Sequence, residues 1–160
     1  MYLEYGPIKI WLEADEVGIT NISFVKEKPK DIPLTPLMEQ HLNLAKKELM
    51  AYFSGDLISF NVPLHFTCGT DFQQNVWKEL QNIPYGQFRN YQDVAIAVNS
   101  PKAQRAVGQA NRRNPIPIIV PCHRVIGKNG ALTGYSGSGE EGLVIKKFLL
   151  NLEQLKKIGD

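Results

Sequence analysis

The sequence predicts an α+β fold in two domains: a small α/β domain of sheet plus helix over residues 1–66, then a mostly helical domain over residues 67–160. Three observations lead to this fold class. The 160 residues are 43% hydrophobic and 21% charged, which is typical of folded globular domains and excludes disorder. Apolar and polar residues alternate before residue 25. After residue 70, apolar residues recur mainly at helical spacing.

The first domain begins with two alternating segments, residues 8–12 and residues 17–24, which predict a β-hairpin. Apolar residues then recur at helical spacing from Met38 to Tyr52, and this pattern predicts an amphipathic helix. Residues 57–66 are expected to form a short last strand that Pro63 interrupts.

The second domain opens with a predicted capping box, Thr70 and Gln73, ahead of a helix of about three turns. Two further short helices are predicted over residues 91–98 and 102–111. The turn between them contains Ser100-Pro101, where Ser is a natural N-cap and Pro suits the first helical position. Two short helices joined by a tight polar turn describe a helix-turn-helix.

The end of the chain combines an apolar run with a last helix. Residues 116–120 are an apolar run typical of a buried strand, and Lys128-Asn129-Gly130 is a type I′ turn signal. A loop rich in Gly and Ser spans residues 134–142. Helical spacing from Leu143 to Glu153 then predicts the final helix.

Positive charge is concentrated in one block of the chain. Residues 86–125 carry six basic side chains and one acidic side chain, although the formal net charge of the whole chain is only +2. Arginine suits phosphate groups and base edges better than lysine does. Charge alone does not decide between a nucleic-acid site and a merely solvated face. All five arginines lie in this block: Arg89, Arg105, Arg112, Arg113 and Arg124.

Location is inferred from the N-terminus, from hydropathy and from cysteine usage. Residues 1–5 lack the basic and apolar regions of a signal peptide, and no window approaches the roughly 18 consecutive apolar residues of a membrane span. The two cysteines, Cys68 and Cys122, are too few for a disulfide framework, as is usual in reducing compartments. We therefore expect a cytoplasmic protein with no membrane partner.

Cys122 is the candidate nucleophile. A thiol reacts as its thiolate, and a nearby base or cation lowers the pKa of the thiol. The next two residues, His123 and Arg124, are a base and a cation. Because neighbouring side chains often point apart, His123 is expected to act through a bridging water, with Glu153 as the candidate group that orients it. The residues alone leave a packed core cysteine as the alternative.

Six motifs occur in order between Thr70 and Glu153. They are Phe72-Gln73-Gln74-Asn75-Val76-Trp77, Ile83-Pro84-Tyr85-Gly86, Arg105-Ala106-Val107-Gly108, Asn114-Pro115, Pro121-Cys122-His123-Arg124-Val125 and Gly134-Tyr135-Ser136-Gly137. Through these motifs and their spacing the chain resembles the O6-alkylguanine-DNA alkyltransferases. The resemblance implies a winged helix-turn-helix-like domain that binds DNA and carries the catalytic site. The first 66 residues carry no comparable signature, but their pattern suits the family's variable, ribonuclease H-like α/β domain.

The resemblance implies DNA repair by direct reversal. O6-methylguanine, with O4-methylthymine as a second substrate, would be flipped out of duplex DNA, because a stacked base cannot present its O6 atom to a protein sulfur. Its alkyl group would pass irreversibly to Cys122. The protein would act once, as a methylated-DNA-[protein]-cysteine S-methyltransferase, with no cofactor and no catalytic metal.

The resemblance also implies roles for single residues. His123, Glu153 and a water would generate the thiolate, and Asn114 would tie the preceding turn to the active-site segment. Tyr91 would stabilise or protonate the departing guanine at N3. The substrate would be held by the main-chain carbonyls of Cys122 and Val125 and by the segment Tyr135, Ser136 and Gly137.

Duplex DNA is the implied partner, bound through its minor groove by the second helix of the helix-turn-helix. Arg105 would fill the space left by the flipped nucleotide, while Ala106 and Gly108 would let the helix approach closely. The candidate phosphate contacts are Arg89, Arg112 and Arg113. The protein is expected to act as a monomer, and cooperative binding along DNA stays open.

Two other classes of function compete with repair. An alkyltransferase-like protein would sense the lesion without removing it, but such relatives replace the nucleophile, commonly with Trp, whereas this chain has Cys122. A Cys-His hydrolase or thiol peroxidase would share the nucleophile but would need neither a helix-turn-helix nor an arginine cluster.

His65 and Cys68 would supply only half of a metal site.

Overall fold

The computed structural model describes residues 1–130 and 139–159 and divides into two compact units, Met1–Thr67 and Cys68–Asp160. The predicted α+β class is confirmed, because the first unit holds a sheet and a helix and the second is mostly helical. Within the two described ranges, none of the helices combines the length and the apolar character that crossing a membrane requires.

The first unit contains an antiparallel sheet. Its strands are β1 (Tyr2–Tyr5), β2 (Ile8–Ala14) and β3 (Ile19–Phe24), in that spatial order. The predicted hairpin is confirmed as β2 and β3, with Leu12 opposite Ile22. Leu3 opposite Ile10 adds β1, which is only four residues long and too short for its alternation to be recognised. These four apolar side chains are buried.

The helix predicted in the first unit is confirmed as α1 (Pro36–Phe53). It begins where expected, since Thr35 accepts a hydrogen bond from the Met38 N–H and Pro36 needs no partner in the first turn. Leu42 and Leu49 lie on its buried face. Helical spacing of apolar residues therefore located both the helix and its packing face.

The strand predicted over residues 57–66 is wrong. Only Leu64 pairs there, in a single bridge to Ile19. The N–H groups of Asn61 and Val62 donate instead to the buried carboxylate of Glu48 on α1. A side chain thus takes the main-chain donors that a strand would use.

The described residues of the second unit form the α-helices α2 (Asp71–Leu80), α3 (Tyr91–Ala97), α4 (Gln104–Arg112) and α5 (Glu140–Gly159). The capping box of Thr70 and Gln73 at the start of α2 is confirmed in both directions. Trp77, buried on α2, donates its indole N–H to the Ala110 carbonyl at 2.8 Å and so fastens α2 to α4. The short strands β4 (Arg89–Asn90) and β5 (Val125–Ile126) pair in parallel.

Helices α3 and α4 form the predicted helix-turn-helix, but α4 begins later than expected. Its N-cap is Ala103, which makes no side-chain cap, so the predicted cap at Ser100 is wrong. The Ser100 N–H bonds to the Ala95 carbonyl and the Asn99 N–H to the Ile96 carbonyl, while Asn99 has φ of 59°. This is a Schellman motif, in which Asn99 and Ser100 end α3 rather than start α4.

The apolar run before the candidate nucleophile is buried, yet the strand predicted there is wrong. The Ile119 N–H donates to the Pro117 carbonyl across Ile118, whose φ is 76°. The Val120 N–H returns to the Ile116 carbonyl. The run therefore folds back on itself in tight turns. Farther along, residues 128–130 form a 3-10 turn in place of the predicted type I′ turn.

Candidate active site and DNA-binding face

Cys122 opens a short 3-10 turn, Cys122–Arg124, in the interior of the second unit. Its side chain is fully buried. Main-chain bonds on both sides fix the segment, because the Cys122 N–H donates to the Val120 carbonyl and the Arg124 N–H to the Pro121 carbonyl. A substrate atom must therefore enter the protein to reach the sulfur.

His123 and Glu153 form a buried pair, although they lie thirty residues apart in the chain. The imidazole Nε2 lies 2.6 Å from Glu153 Oε2. A carboxylate accepts hydrogen bonds, so neutral His123 carries its proton on Nε2. Its Nδ1 then bears the lone pair that can accept a proton.

Arg124 also binds the carboxylate of Glu153. Its Nε donates to Glu153 Oε1 at 2.9 Å and its Nη2 to Oε2 at 3.1 Å. The Gly86 N–H adds a further bond to Oε1 at 3.1 Å. Arg124 also donates Nη1 to the Ile83 carbonyl at 2.7 Å and lies over the Tyr85 ring. The cation expected to act on the sulfur thus contacts Glu153.

These contacts shift the pKa values of the buried groups. Burial lowers the pKa of His123 from its ordinary 6.5, Glu153 opposes that shift, and the charges of Arg124 and Lys146 reinforce it. Burial alone would raise the pKa of Glu153, but its contacts with His123 and Arg124 hold it well below the usual value. The site therefore combines a neutral imidazole with an ionised carboxylate, which suits a general base.

Asn114 closes the turn that precedes Cys122. Its Nδ2 donates to the Val120 carbonyl at 2.9 Å, and its Oδ1 accepts the Ile116 N–H at 3.0 Å. The side chain is buried. Asn114 thus satisfies main-chain groups of the tight turns that replace the expected strand.

Two further side chains reach this segment and were not identified from the sequence. Asn111 on α4 donates Nδ2 to the Cys122 carbonyl at 3.3 Å, and Lys146 on α5 donates Nζ to the Val125 carbonyl at 2.7 Å. Both are buried. The available signal was positional: Asn111 lies one turn after the apolar Val107, and Lys146 lies on the same helical stripe as the apolar residues of α5.

A cleft of about 400 Å³ brings several predicted DNA-binding residues together with Tyr91. Its lining includes Tyr91, Arg105, Gly108, Arg112 and Lys128.

The other residues predicted to bind DNA lie outside this lining. Arg113 and Ala106 are exposed, and Arg89 lines a different hollow beside Phe88. A Cβ added to Gly108 would lie 3.9 Å from Tyr91 Cε1, an ordinary contact. Packing within the protein therefore does not require glycine at that position.

Two family models match almost the whole chain. Residues 71–155 match the DNA binding domain of 6-O-methylguanine DNA methyltransferase, and residues 4–66 match its ribonuclease-like domain. This chain belongs to that family. The resemblance inferred from the sequence motifs is confirmed.

Similar proteins span bacteria and archaea. The chain is 51% identical over 150 residues to a methylated-DNA–protein-cysteine methyltransferase of Methanosarcina acetivorans, covering 92% of each chain. It is 60% identical over 111 residues to the constitutive methylated-DNA–protein-cysteine methyltransferase of Bacillus subtilis, covering 69% of this chain and 65% of that protein. A crystal structure of Mycobacterium tuberculosis OGT in complex with DNA has a TM-score of 0.81 and 41% identity, covering 97% of this chain and 92% of that one.

The other residues singled out in the sequence are the segment 135–137 and the pair His65 and Cys68. Tyr135, Ser136 and Gly137 lie outside the described residues. Cys68 is exposed, and His65 pairs with Asp15 at 2.5 Å. Among residues 1–130 and 139–159, no three His, Cys, Asp or Glu side chains are grouped to hold a metal ion.

Proposed function

We propose that this protein repairs DNA by transferring the alkyl group of O6-alkylguanine to Cys122. The observation that carries the proposal is that the buried Cys122 is followed in the chain by His123, which forms a buried pair with Glu153, in a chain of this family. The names of its relatives support a methylated-DNA–protein-cysteine methyltransferase, and the complex of the Mycobacterium tuberculosis protein supports DNA as the partner.

In the proposed reaction, His123 Nδ1 takes the thiol proton of Cys122, directly or through a water, and Glu153 stabilises the imidazolium. The thiolate attacks the alkyl carbon, so an S–C bond forms as the C–O6 bond breaks. The released electron pair is delocalised over guanine, and Tyr91 donates a proton to N3. Exchange with solvent then takes the proton from His123, returns one to Tyr91 and moves the guanine proton from N3 to N1. The net products are an S-alkylcysteine and unmodified guanine.

Because Cys122 is fully buried, the damaged base must leave the duplex to react. We propose that α4 enters the minor groove, where Arg105 replaces the flipped nucleotide in the stack. Tyr91 and Arg105 lining one cleft supports this arrangement. Ala106 and Gly108 would allow close approach. Arg89, Arg112 and Arg113 would supply phosphate contacts, which carry no sequence preference.

We also propose that each protein molecule acts once, on O6-methylguanine or on O4-methylthymine. The product is a thioether, which does not undergo thiol exchange as a disulfide does. The added methyl group would enter a packed segment, where overpacking costs about 1–3 kcal/mol. The alkylated protein should therefore be less stable than the free protein.

Limiting protein mixed with excess methylated duplex tests the reaction and its stoichiometry. Demethylated DNA should plateau near one equivalent of active protein, and peptide mass mapping should find the methyl group on Cys122. Cys122→Ala should abolish transfer but still bind DNA, whereas Cys68→Ala should behave like the unmodified protein. Turnover beyond one equivalent would exclude single use, and a label on Cys68 would show that the nucleophile is wrongly assigned.

Arg105→Ala tests base flipping separately from chemistry. Repair of a methylated duplex should slow by about 10- to 100-fold, since flipping costs a few kcal/mol and only the duplex requires it. Reaction with free O6-benzylguanine should change by less than about twofold, since that base is already unstacked. Lys78→Ala, an exposed cation on α2, is the matched control. Equal losses on both substrates would place Arg105 in the chemistry or the fold.

A further inference from the structure

Lys146 is a buried cation attached to the segment that carries the nucleophile. Its side chain, on α5, is 0% exposed, and its Nζ lies 2.7 Å from the Val125 carbonyl oxygen. Val125 directly follows the 3-10 turn Cys122–Arg124, and its N–H donates to the Cys122 carbonyl. A buried lysine is costly unless a negative charge compensates it, so the partner of this charge needs to be identified.

The charge of Lys146 interacts with two residues of the 3-10 turn. Burial lowers the pKa of Lys146 to about 8, and the charge of Cys122 opposes that shift. The charge of Lys146 in turn lowers the pKa of His123. Charges in a protein interior are screened less than charges in water, so a change of charge on the sulfur acts directly on the ammonium.

The charges of the surrounding cluster balance only for one form of the cysteine. The cluster consists of Cys122, His123, Arg124, Lys146 and Glu153. Arg124 donates to Glu153 at 2.9 Å, so these two opposite charges offset each other. The lowered pKa of His123 keeps the imidazole neutral. Within this cluster a thiolate therefore balances the ammonium, whereas a thiol or a thioether leaves a net positive charge in a buried site.

We propose that Lys146 is the counter-ion of the Cys122 thiolate, and that alkyl transfer destabilises the spent protein by removing the negative charge of this pair. The inference rests on the proposed function. In the transfer, a sulfur lone pair forms the S–C bond, and the electron pair of the broken C–O6 bond stays with the guanine, which takes up a proton. The sulfur of the thioether is neutral, so one negative charge leaves the buried cluster with the repaired base.

Two causes of instability in the spent protein predict different results for Lys146→Met. Overpacking by the methyl group acts whether or not residue 146 is charged. Loss of the counter-charge acts only on an ammonium. Methionine is similar to lysine in length and carries no charge, so Lys146→Met removes the second cause and keeps the first.

The first experiment requires no alkyl transfer. Cys122→Asp places a negative charge near the position of the sulfur, and Cys122→Asn has the same shape without the charge. Each is prepared with Lys146 and with Lys146→Met, and urea unfolding at neutral pH gives the equilibrium constant of unfolding. Lys146→Met should reduce the stability of Cys122→Asp relative to Cys122→Asn by about tenfold or more in that constant, as expected for charges in contact. An equal ratio in both backgrounds would overturn the ion pair.

The second experiment compares spent and unreacted protein. Each protein is methylated with a methylated duplex, the product is confirmed by mass, and Tm is measured before and after. Methylation should lower Tm by roughly 4 °C or more beyond the loss that it causes in Lys146→Met. Equal losses would mean that overpacking alone destabilises the spent protein. This comparison decides the question if Cys122→Asp does not fold.

A spectroscopic measurement separates the charge of Lys146 from a merely structural role. The ultraviolet absorbance of the thiolate is taken at neutral pH as the difference between each protein and its Cys122→Ala counterpart. Lys146→Met should lower this absorbance in folded protein, because the thiolate has lost its counter-ion. Lys147→Met, an exposed position on α5, is the matched control and should leave it unchanged. Unchanged absorbance in both variants would contradict the proposal.

The outcomes distinguish this inference from the proposed function. If the unmodified protein transfers no methyl group from the duplex, the proposed function fails, whatever the unfolding of the Cys122 variants shows. If it transfers the methyl group but the cycle of Cys122 and Lys146 variants shows no coupling, repair stands and the role of Lys146 as counter-ion is wrong.

Discussion

Each unit of the molecule buries a glutamate, and the two carboxylates have different partners. Glu48 on α1 accepts hydrogen bonds from the main-chain N–H groups of Asn61 and Val62. Glu153 on α5 accepts the main-chain N–H of Gly86 and binds the ionisable side chains of His123 and Arg124. Glu48 thus fixes the loop at residues 61–62, whereas Glu153 binds the imidazole of His123.

This difference shows that burial of a charged group does not by itself mark a functional site. A carboxylate that binds only peptide N–H groups contributes to the stability of the segment it binds. A carboxylate bound to an imidazole and a guanidinium also changes their protonation and orientation. The partners of each carboxylate, rather than its burial, therefore distinguish the structural Glu48 from Glu153, which binds ionisable side chains.

Glu153→Gln should have the largest effect. The amide keeps the size of the side chain, but it leaves the imidazolium without a counter-charge and Arg124 buried without its carboxylate. We expect the rate of reaction with free O6-benzylguanine to fall by about 10²- to 10⁴-fold, the usual contribution of general base catalysis. Circular dichroism checks that the variant is folded. A loss smaller than about threefold would mean that the pair takes no part in the reaction.

Arg124→Gln should have a smaller, pH-dependent effect. The charge of Arg124 helps to lower the pKa of His123, so its removal should raise that pKa and protonate the base at higher pH. The acid limb of the rate profile should therefore move to higher pH in the variant. On the acid limb the variant should therefore lose more rate, relative to its own plateau, than the unmodified protein at the same pH. Superimposable normalised profiles would contradict this role.

Stability should depend on the same group. The folded pKa of His123 lies below the ordinary value of 6.5, so the unfolded chain binds a proton that the folded chain does not. The contribution of His123 to the free energy of unfolding is therefore present above pH 6.5 and is lost as pH falls through the lowered folded pKa. Urea unfolding between pH 5 and pH 7 measures it, with the free energy expected to rise with pH.

Glu48→Gln should have the smallest effect on activity. One oxygen acceptor is replaced by an NH₂ group that faces main-chain donors, which should cost about 1–3 kcal/mol and lower Tm by about 2–10 °C. The rate with free O6-benzylguanine should stay within about twofold. A thermal melt and a rate measurement on one preparation test both parts. A large loss of rate in folded protein would contradict the distinction between the two carboxylates.

Local signals predicted much of the fold because the groups that satisfy them are near in sequence. The capping box of Thr70 and Gln73 links residues three apart, and the hairpin of β2 and β3 and helix α1 follow from periodicities over a few residues. The Schellman motif at Asn99 was also readable, since Asn at a helix C-terminus followed shortly by Pro favours that ending. The sequence nevertheless predicts Ser100 as the N-cap of the following helix, because a Ser-Pro pair fits the start of a helix equally well.

Tertiary contacts determine the conformation of the segments in which the sequence pattern predicted a strand wrongly. Residues 57–66 and 116–120 have the apolar character of strands. Some of their main-chain groups, however, form hydrogen bonds with side chains instead of with a neighbouring strand. Glu48 binds Asn61 and Val62, and Asn114 binds the Val120 carbonyl. A run of apolar residues does not specify which partner will satisfy the backbone.

For the site, the sequence determined the chemistry available and the tertiary structure determined the arrangement. The motif around Cys122 made it the candidate nucleophile and made His123 and Glu153 candidates beside it. Only the packing of α5 on the 3-10 turn brings Glu153 to His123, directs Arg124 to the carboxylate, and sets Lys146 behind Val125. The physical reason is that a side chain's reactivity is encoded in its residue type, whereas its pKa and orientation depend on neighbours that burial selects from distant parts of the chain.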